Sequence, residues 1–307
     1  MNSTYIYNHF ILALFFSALC FSASADAWDT STRYLQHNGE KRSYIIHIPE
    51  EVKASKVKVP MVIVLHGGGG NAEHAERSYG FSEKADQEGF IAVYPNGTAG
   101  KMAKFKTWNV VHCCGPAMKN KTDDIGFLST LIDYVIDNHP ADPSRVFITG
   151  MSNGGMMTHR AGIALSDKVT AIAPVASGLF GDESFPKSPV SALIINGALD
   201  KSFPMNGGKT GGKFSRAWDG TSLKPVSYQG EFWAKHNACN VKPVEEQNTP
   251  SILVQRYTCS GTVDVIHYIV KDNGHAWPGG KQGNKFLDKP SQSINATDII
   301  WDFFKAQ

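Results

Sequence analysis

The 307-residue chain is 42% hydrophobic and 19% charged, enough apolar material for a core, and its length suits one large domain better than two average ones. The net charge is only +2 and basic residues form no long run, which argues against nucleic acid as a partner.

The N-terminus stands apart from the rest. Phe10–Phe21 is almost wholly apolar, too short to span a bilayer and the right length for the apolar region of a secretory leader. Ala23-Ser24-Ala25 fits a cleavage site, and Ala25-Asp26-Ala27 offers a second. No Lys or Arg precedes the run, which is atypical. Residues 1–25 are therefore expected to be a removed leader, residues 26–307 one catalytic domain, and the mature protein secreted or periplasmic with no membrane attachment. Of the five cysteines, Cys20 would leave with the leader. The even remainder suits an oxidising compartment. A Cys239–Cys259 bridge is expected, closing a modest loop. Cys113 and Cys114 are neighbours, whose Cα atoms lie closer than disulfides prefer; a bond between them stays open. His112-Cys113-Cys114 lacks zinc-site spacing, so no metal site is expected.

Tyr34–Ile48, with Asn38-Gly39 at its middle, reads as a hairpin. Residues 60–65 form a continuous apolar run, a strand buried on both faces, ended by the glycine cluster Gly67–Gly70. Residues 73–88 read as a helix and 90–94 as the next strand. Residues 97–121 are polar and irregular, a length of loop that usually carries function. Asp123 or Thr122 can cap the following helix, and Asp123 and Asp124 read as caps rather than a metal pair. A strand at 145–149 precedes a helix to about Leu165. Strands follow at 171–175 and 192–196, then a glycine-rich rim loop at 201–225. A helix near 231–237, strands at 252–257 and 263–270, and a helix at 295–304 complete the chain. This alternation predicts an α/β fold, a mostly parallel central sheet with helices on both faces.

The chemistry concentrates at Gly150-Met151-Ser152-Asn153-Gly154, a G-x-S-x-G directly after a buried strand and directly before a helix. Small flanking residues permit a sharp turn that lifts the serine hydroxyl above the sheet and aims a helix N-terminus at it. A serine needs a base. Of the downstream histidines, His267 falls inside a strand, whereas His275 lies in a loop just past it and is the candidate base. Asp200, at the carboxyl end of a strand, is the candidate third member. Asp272 is its rival, but lies too near His275 in sequence to reach the ring easily. The Asn153 backbone N–H is one candidate oxyanion donor, and the glycine loop supplies the other: Gly68 first, then Gly67. Trp108 and Trp277 are candidate walls for an aromatic or apolar acyl group.

Leu65-His66-Gly67-Gly68, Trp108-Asn109, Cys113-Cys114, Asp123-Asp124-Ile125-Gly126-Phe127, Arg145-Val146, Gly150 to Met156 and Gly274-His275-Ala276-Trp277-Pro278-Gly279 together resemble secreted esterases of the poly(3-hydroxybutyrate) depolymerase-like and feruloyl esterase-like family. The likeness runs from about residue 40 to the end. It implies the α/β-hydrolase fold, Ser–His–Asp chemistry on carboxylic esters and no cofactor. Relatives act on hydroxycinnamoyl or acetyl esters of plant polysaccharides, or on hydroxyalkanoate esters. One departure is Gly197-Ala198-Leu199-Asp200, where relatives often read His-Gly-Thr-x-Asp; the acid is retained. The expected substrate is a small or oligomeric ester, feruloyl or acetyl first and hydroxybutyrate oligomers second. No appended surface-binding domain is expected after His275, which favours soluble esters. A serine peptidase would share these three residues, and cleavage of small esters without peptide cleavage discriminates. A hydrolase-shaped binding module would be expected to lack one of them.

Overall fold

The computed structural model describes Met1 and residues 31–55, 57–100, 105–210, 217–283 and 288–307. Apart from Met1, the expected leader, with Cys20, lies outside the described residues. In chain order the elements are β1 (Arg33–His37), β2 (Glu40–His47), α1 (Glu50–Ala54), β3 (Val59–Leu65), α2 (Ala72–Tyr79), α3 (Phe81–Glu88), β4 (Ile91–Pro95), β5 (Thr98–Ala99), β6 (Lys106–Thr107), α4 (Gly115–Lys119), α5 (Asp124–Asn138), β7 (Ala141–Met151), α6 (Asn153–Ala164), β8 (Ala171–Val175), β9 (Ser191–Gly197), α7 (Ser227–His236), β10 (Val244–Asn248), β11 (Ile252–Tyr257), β12 (Val265–Val270) and α8 (Ala296–Lys305).

Ten strands form one sheet in the order β1-β2-β4-β3-β7-β8-β9-β12-β11-β10, and β5 and β6 pair separately. From β4 to β12 every neighbouring pair is parallel. Both edges are antiparallel. Strand residues alternate between two cores. Met61, Ile63 and Leu65 of β3 join Phe127 and Leu131 of α5, Met157 of α6 and Trp233 of α7. Val62 and Val64 join Ala75 of α2, Phe81 of α3 and Trp301 and Phe304 of α8. That period-two split, with both faces apolar, is what a parallel sheet covered on two sides requires.

Several expected boundaries shift. The hairpin forms with His37 opposite Glu40, and Asn38 and Gly39 both at positive φ, 49° and 80°, the two-residue turn that an Asn-Gly pair supports. The single helix expected at 73–88 is two helices, broken where Gly80 takes φ 77°. The long loop at 97–121 contains β5, β6 and α4. The β10 strand was not anticipated; its residues, including Glu245 and Glu246, are all exposed, and such charges suit a sheet edge rather than an alternating pattern.

Of the two acidic residues at the start of α5, only Asp123 caps it, accepting from Gly126 N at 2.9 Å. Asp124 instead forms a buried ion pair with Arg42 (2.7 Å) and accepts Asn109 N at 2.8 Å. Burial raises its pKa, and Arg42 opposes that rise. Asp124→Asn should destabilise the protein by about 3–5 kcal/mol, because Arg42 would keep its charge with no counter-charge; urea unfolding of the variant checks this.

Cys239 and Cys259 are bonded across a separation of 20 residues, and Cys113 is bonded to Cys114. The first closes the segment between α7 and β12, which holds β10 and β11. Cys239→Ser should cost about 2–4 kcal/mol and lower the melting temperature under oxidising conditions only. An equal melting temperature for wild type and variant, without reductant, would show that the bridge contributes nothing.

Candidate active site

Parallel strands place their carboxyl ends along one edge, where ligand chemistry collects in open α/β sheets. Here β3 ends at Leu65, β7 at Met151, β9 at Gly197 and β12 at Val270. The glycine loop, Ser152, Asp200 and His275 follow those four ends directly.

Ser152 occupies a tight turn between β7 and α6, with φ 59° and ψ −124°. A non-glycine residue in that region is strained and persists only when its surroundings impose it. The imposing contacts are visible. Ser152 N donates to Val175 O at 2.9 Å. A Cβ at Gly150 would sit 2.8 Å from Gly154 C, and one at Gly154 would sit 2.5 Å from Leu65 O and His66 O. Only glycine fits at either position, which explains the flanking residues of the motif.

His275 Nε2 lies 2.9 Å from Ser152 Oγ, and its Nδ1 lies 2.8 Å from Asp200 Oδ2. The other Asp200 oxygen accepts Ser202 N (2.7 Å) and Phe203 N (3.1 Å). The carboxylate side chain is fully buried. Asp272 is elsewhere: exposed itself, it accepts the hydroxyls of Ser291 and Ser293. His267 is buried in β12 on Asn196, and burial drops its pKa to about 4. Asp288, which carries no sequence signal of a role, accepts His275 N at 2.7 Å and so fixes the histidine loop.

Asn153 begins α6, so its backbone N–H is among those a helix N-terminus leaves free. In the facing loop, Gly69 N donates to Lys106 O and Gly70 N to Gly67 O, while the Gly67 backbone is tied to the Tyr79 hydroxyl. Gly68 N–H alone of these has no partner among the described residues. Gly68 abuts Asn153: a Cβ there would lie 3.5 Å from the Asn153 Cβ. His66 holds the loop from below. It is buried, its ring bonded to Gly67 O (2.8 Å) and to Gly97 N (3.0 Å). Burial drives its pKa to about 3, so the ring is neutral, donating from Nδ1 and accepting at Nε2.

The two expected tryptophan walls are corrected. Trp108 is fully buried. Its indole donates to His66 O at 2.9 Å, and its backbone N and O pair with the Asn153 side chain at 2.7 and 3.0 Å. It therefore braces the glycine loop against the start of α6 instead of meeting a ligand. Trp277 is 2% exposed, stacked on Tyr79 at 4.3 Å and bonded to Thr297. Its place two residues after His275 turns it into the core beneath the loop.

Ser152 and His275 open into a cleft of about 430 Å³, whose walls include Phe105, Cys114, Phe203 and Trp218. Phe203 stacks on His275 at 5.6 Å and meets Trp218 at 5.7 Å. Phe203 and Trp218 fall within the loop read only as a polar rim. Nothing in their local sequence sets them apart from core aromatics.

Among the described residues, no cluster could hold a metal ion, and no helix is long and apolar enough to cross a membrane. The family model described as Esterase PHB depolymerase matches residues 42–205. Feruloyl esterase B of Piromyces equi is 31% identical over 257 residues, covering 80% of this chain and 45% of that protein. The chain thus spans under half the length of that relative. Feruloyl esterase C of Emericella nidulans is 24% identical, covering 88% of this chain and 86% of its own. The solved acetyl xylan esterase from Aspergillus awamori superposes with a TM-score of 0.62 at 16% identity, covering 90% of this chain and all of that one, which shows the shared α/β-hydrolase fold. The sheet, the site at its carboxyl edge and the match across residues 42–205 agree, and the chain belongs to the Esterase PHB depolymerase family of carboxylic ester hydrolases.

Proposed function

We propose that the protein is a secreted serine esterase that cleaves aromatic acyl esters of the feruloyl type, with acetyl esters as smaller substrates. The observation that carries this reading is the unbroken line Asp200–His275–Ser152, with spacings of 2.8 and 2.9 Å, opening into a cleft walled by aromatic rings. Ser152 Oγ attacks the ester carbonyl carbon while His275 Nε2 takes its proton. The N–H groups of Asn153 and Gly68 stabilise the oxyanion. His275 then returns the proton to the departing alcohol oxygen, leaving an acyl-serine. Water, activated by the same imidazole, hydrolyses that acyl-serine. No step needs a cofactor.

Among the described residues, the cleft walls carry no aspartate, glutamate, lysine or arginine, which suits a neutral, flat acyl group. Names of the relatives support feruloyl and acetyl esters, and the family description supports hydroxybutyrate oligomers as the alternative. Residues 1–25 as a removed leader and 26–307 as one catalytic domain complete the proposal. Two disulfides support an oxidising destination.

The test is a substrate panel: 4-nitrophenyl acetate, methyl ferulate, acetylated xylo-oligosaccharide, hydroxybutyrate oligomers and a peptide. Methyl ferulate should give the highest kcat/KM of the natural-type esters, and the peptide none. Preferential cleavage of hydroxybutyrate oligomers would replace the feruloyl reading with the depolymerase one. N-terminal sequencing of the exported protein should begin just after Ala25 or Ala27.

A further inference from the structure

One histidine outside the site holds three loops together. His112 lies between β6 and α4. Its Nε2 meets Asp182 Oδ2 at 2.8 Å, in the loop after β8, and its Nδ1 meets Asp219 Oδ2 at 2.7 Å. Asp219 adjoins Trp218 of the cleft wall. The backbones are joined as well: Asp219 N donates to His112 O at 3.1 Å, and Cys113 bridges Trp218. Aromatic contacts continue inward. The His112 ring packs edge-on against Phe180 at 4.7 Å, Phe180 against Trp218 at 5.9 Å, Trp218 against Phe203 at 5.7 Å, and Phe203 on His275 at 5.6 Å.

Donor counting decides what this arrangement requires. Both carboxylates accept, so both ring nitrogens must donate. A neutral imidazole has one N–H and an imidazolium has two. Thr221 Oγ1 also lies 3.1 Å from Nδ1, so once the ring is neutral its hydroxyl can donate to a bare Nδ1 in place of the Asp219 contact.

We propose that His112 is a positioning residue for the substrate cleft: as imidazolium it ties the Asp182 loop to the Asp219 segment and sets Trp218 in the wall, and its deprotonation frees one arm and weakens binding of aromatic esters. This rests on the reading of the cleft given above.

The surrounding charges are consistent with it. Burial pulls the His112 pKa down, but its bonds to Asp182 and Asp219 outweigh that and hold it above the ordinary imidazole value. Burial raises the Asp219 pKa, and its bonds to His112 and to the Thr221 backbone and hydroxyl outweigh that and hold it below the ordinary carboxylate value. Arg160 of α6 and Glu183 share the adjoining cavity with His112. Arg160 donates to Asn109 O, and Glu183 accepts Phe180 N and Gly181 N; neither takes a ring nitrogen of His112. A raised histidine pKa gives a contribution fully present below the unfolded value and lost as pH rises through the folded one. The clamp is therefore closed at mildly acidic pH and opens on the alkaline side of the ordinary imidazole range.

Two readouts test it from about pH 5 to about 9, a span that brackets histidine titration. The first is the indole N–H resonance of Trp218 by NMR, assigned with Trp218→Phe, against the His112 ring resonance, assigned with His112→Gln. The two should share one midpoint, and Asp182→Asn, which keeps the imidazole but removes one charge, should lower it. The second is KM for methyl ferulate, which should rise about fivefold across that midpoint, the weight of one hydrogen bond, and lose this dependence in His112→Gln. A Trp218 resonance indifferent to the His112 titration overturns the proposal, as does an unchanged KM profile in the variant. Should His112→Gln fail to fold, Asp182→Asn decides by whether it moves the Trp218 midpoint. If methyl ferulate is not cleaved, the substrate reading fails while the indole measurement still decides the clamp.

Discussion

Ser152→Ala should lower kcat on 4-nitrophenyl acetate by at least roughly 10³-fold and leave the melting temperature close to wild type. The side chain supplies the only proposed nucleophile, positioned 2.9 Å from His275 Nε2, so alanine removes bond formation itself. What remains is a site that binds and polarises the ester with the Asn153 and Gly68 N–H groups, which sets a floor above the uncatalysed rate. The fold should tolerate the change, because the turn is fixed by Gly150, Gly154 and the Ser152 N to Val175 O bond, none of which involves the hydroxyl. Alanine also keeps a Cβ at the same positive φ, so it adds no new strain. Near-normal turnover in the variant would overturn Ser152 as nucleophile.

Asp200→Asn should reduce kcat by about 10⁴-fold, the size expected when the imidazole is held in the wrong tautomer. Asp200 Oδ1 is committed to Ser202 N and Phe203 N, and Oδ2 faces His275 Nδ1. In the variant the carbonyl oxygen would keep the two backbone donors, leaving the NH₂ aimed at Nδ1. Nδ1 would then have to accept, and Nε2 would carry the proton and face Ser152 Oγ as a donor, unable to act as base. The charge that stabilises the imidazolium is lost as well. Asp272→Asn should change kcat by less than about twofold, since an exposed carboxylate in high dielectric acts weakly and this one bonds the hydroxyls of Ser291 and Ser293 away from the His275 ring. The reverse order of effects would make Asp272 the acid and leave Ser152 and His275 standing.

These residues differ in how they could be found. Ser152 was legible because its turn is sterically exacting: a Cβ at Gly150 or Gly154 would collide with neighbouring backbone, so the glycines are written into the chain. The buried strands were legible because a sheet covered on both faces needs unbroken apolar runs. Asn38-Gly39 announced its hairpin because both residues must take positive φ. Asp124 was misjudged as a cap because a buried carboxylate looks like any other acid until Arg42, 82 residues away, is seen beside it.

The amino-acid sequence by itself determined the local geometry: which segments are strands, where the sharp turn falls, and that a serine stands on it. Steric limits on φ and ψ and the periods of strand and helix act over a few residues, so they leave a readable mark. Tertiary structure alone decided which side chains share the cleft. Trp277 stands two residues from His275 and Trp108 lies in the long loop after β4, yet both point into packed interior, whereas Phe203 and Trp218, from a loop without a distinguishing pattern, form its wall. That assignment depends on where loops from separate strand ends converge, and such long-range packing has no period for the sequence to display.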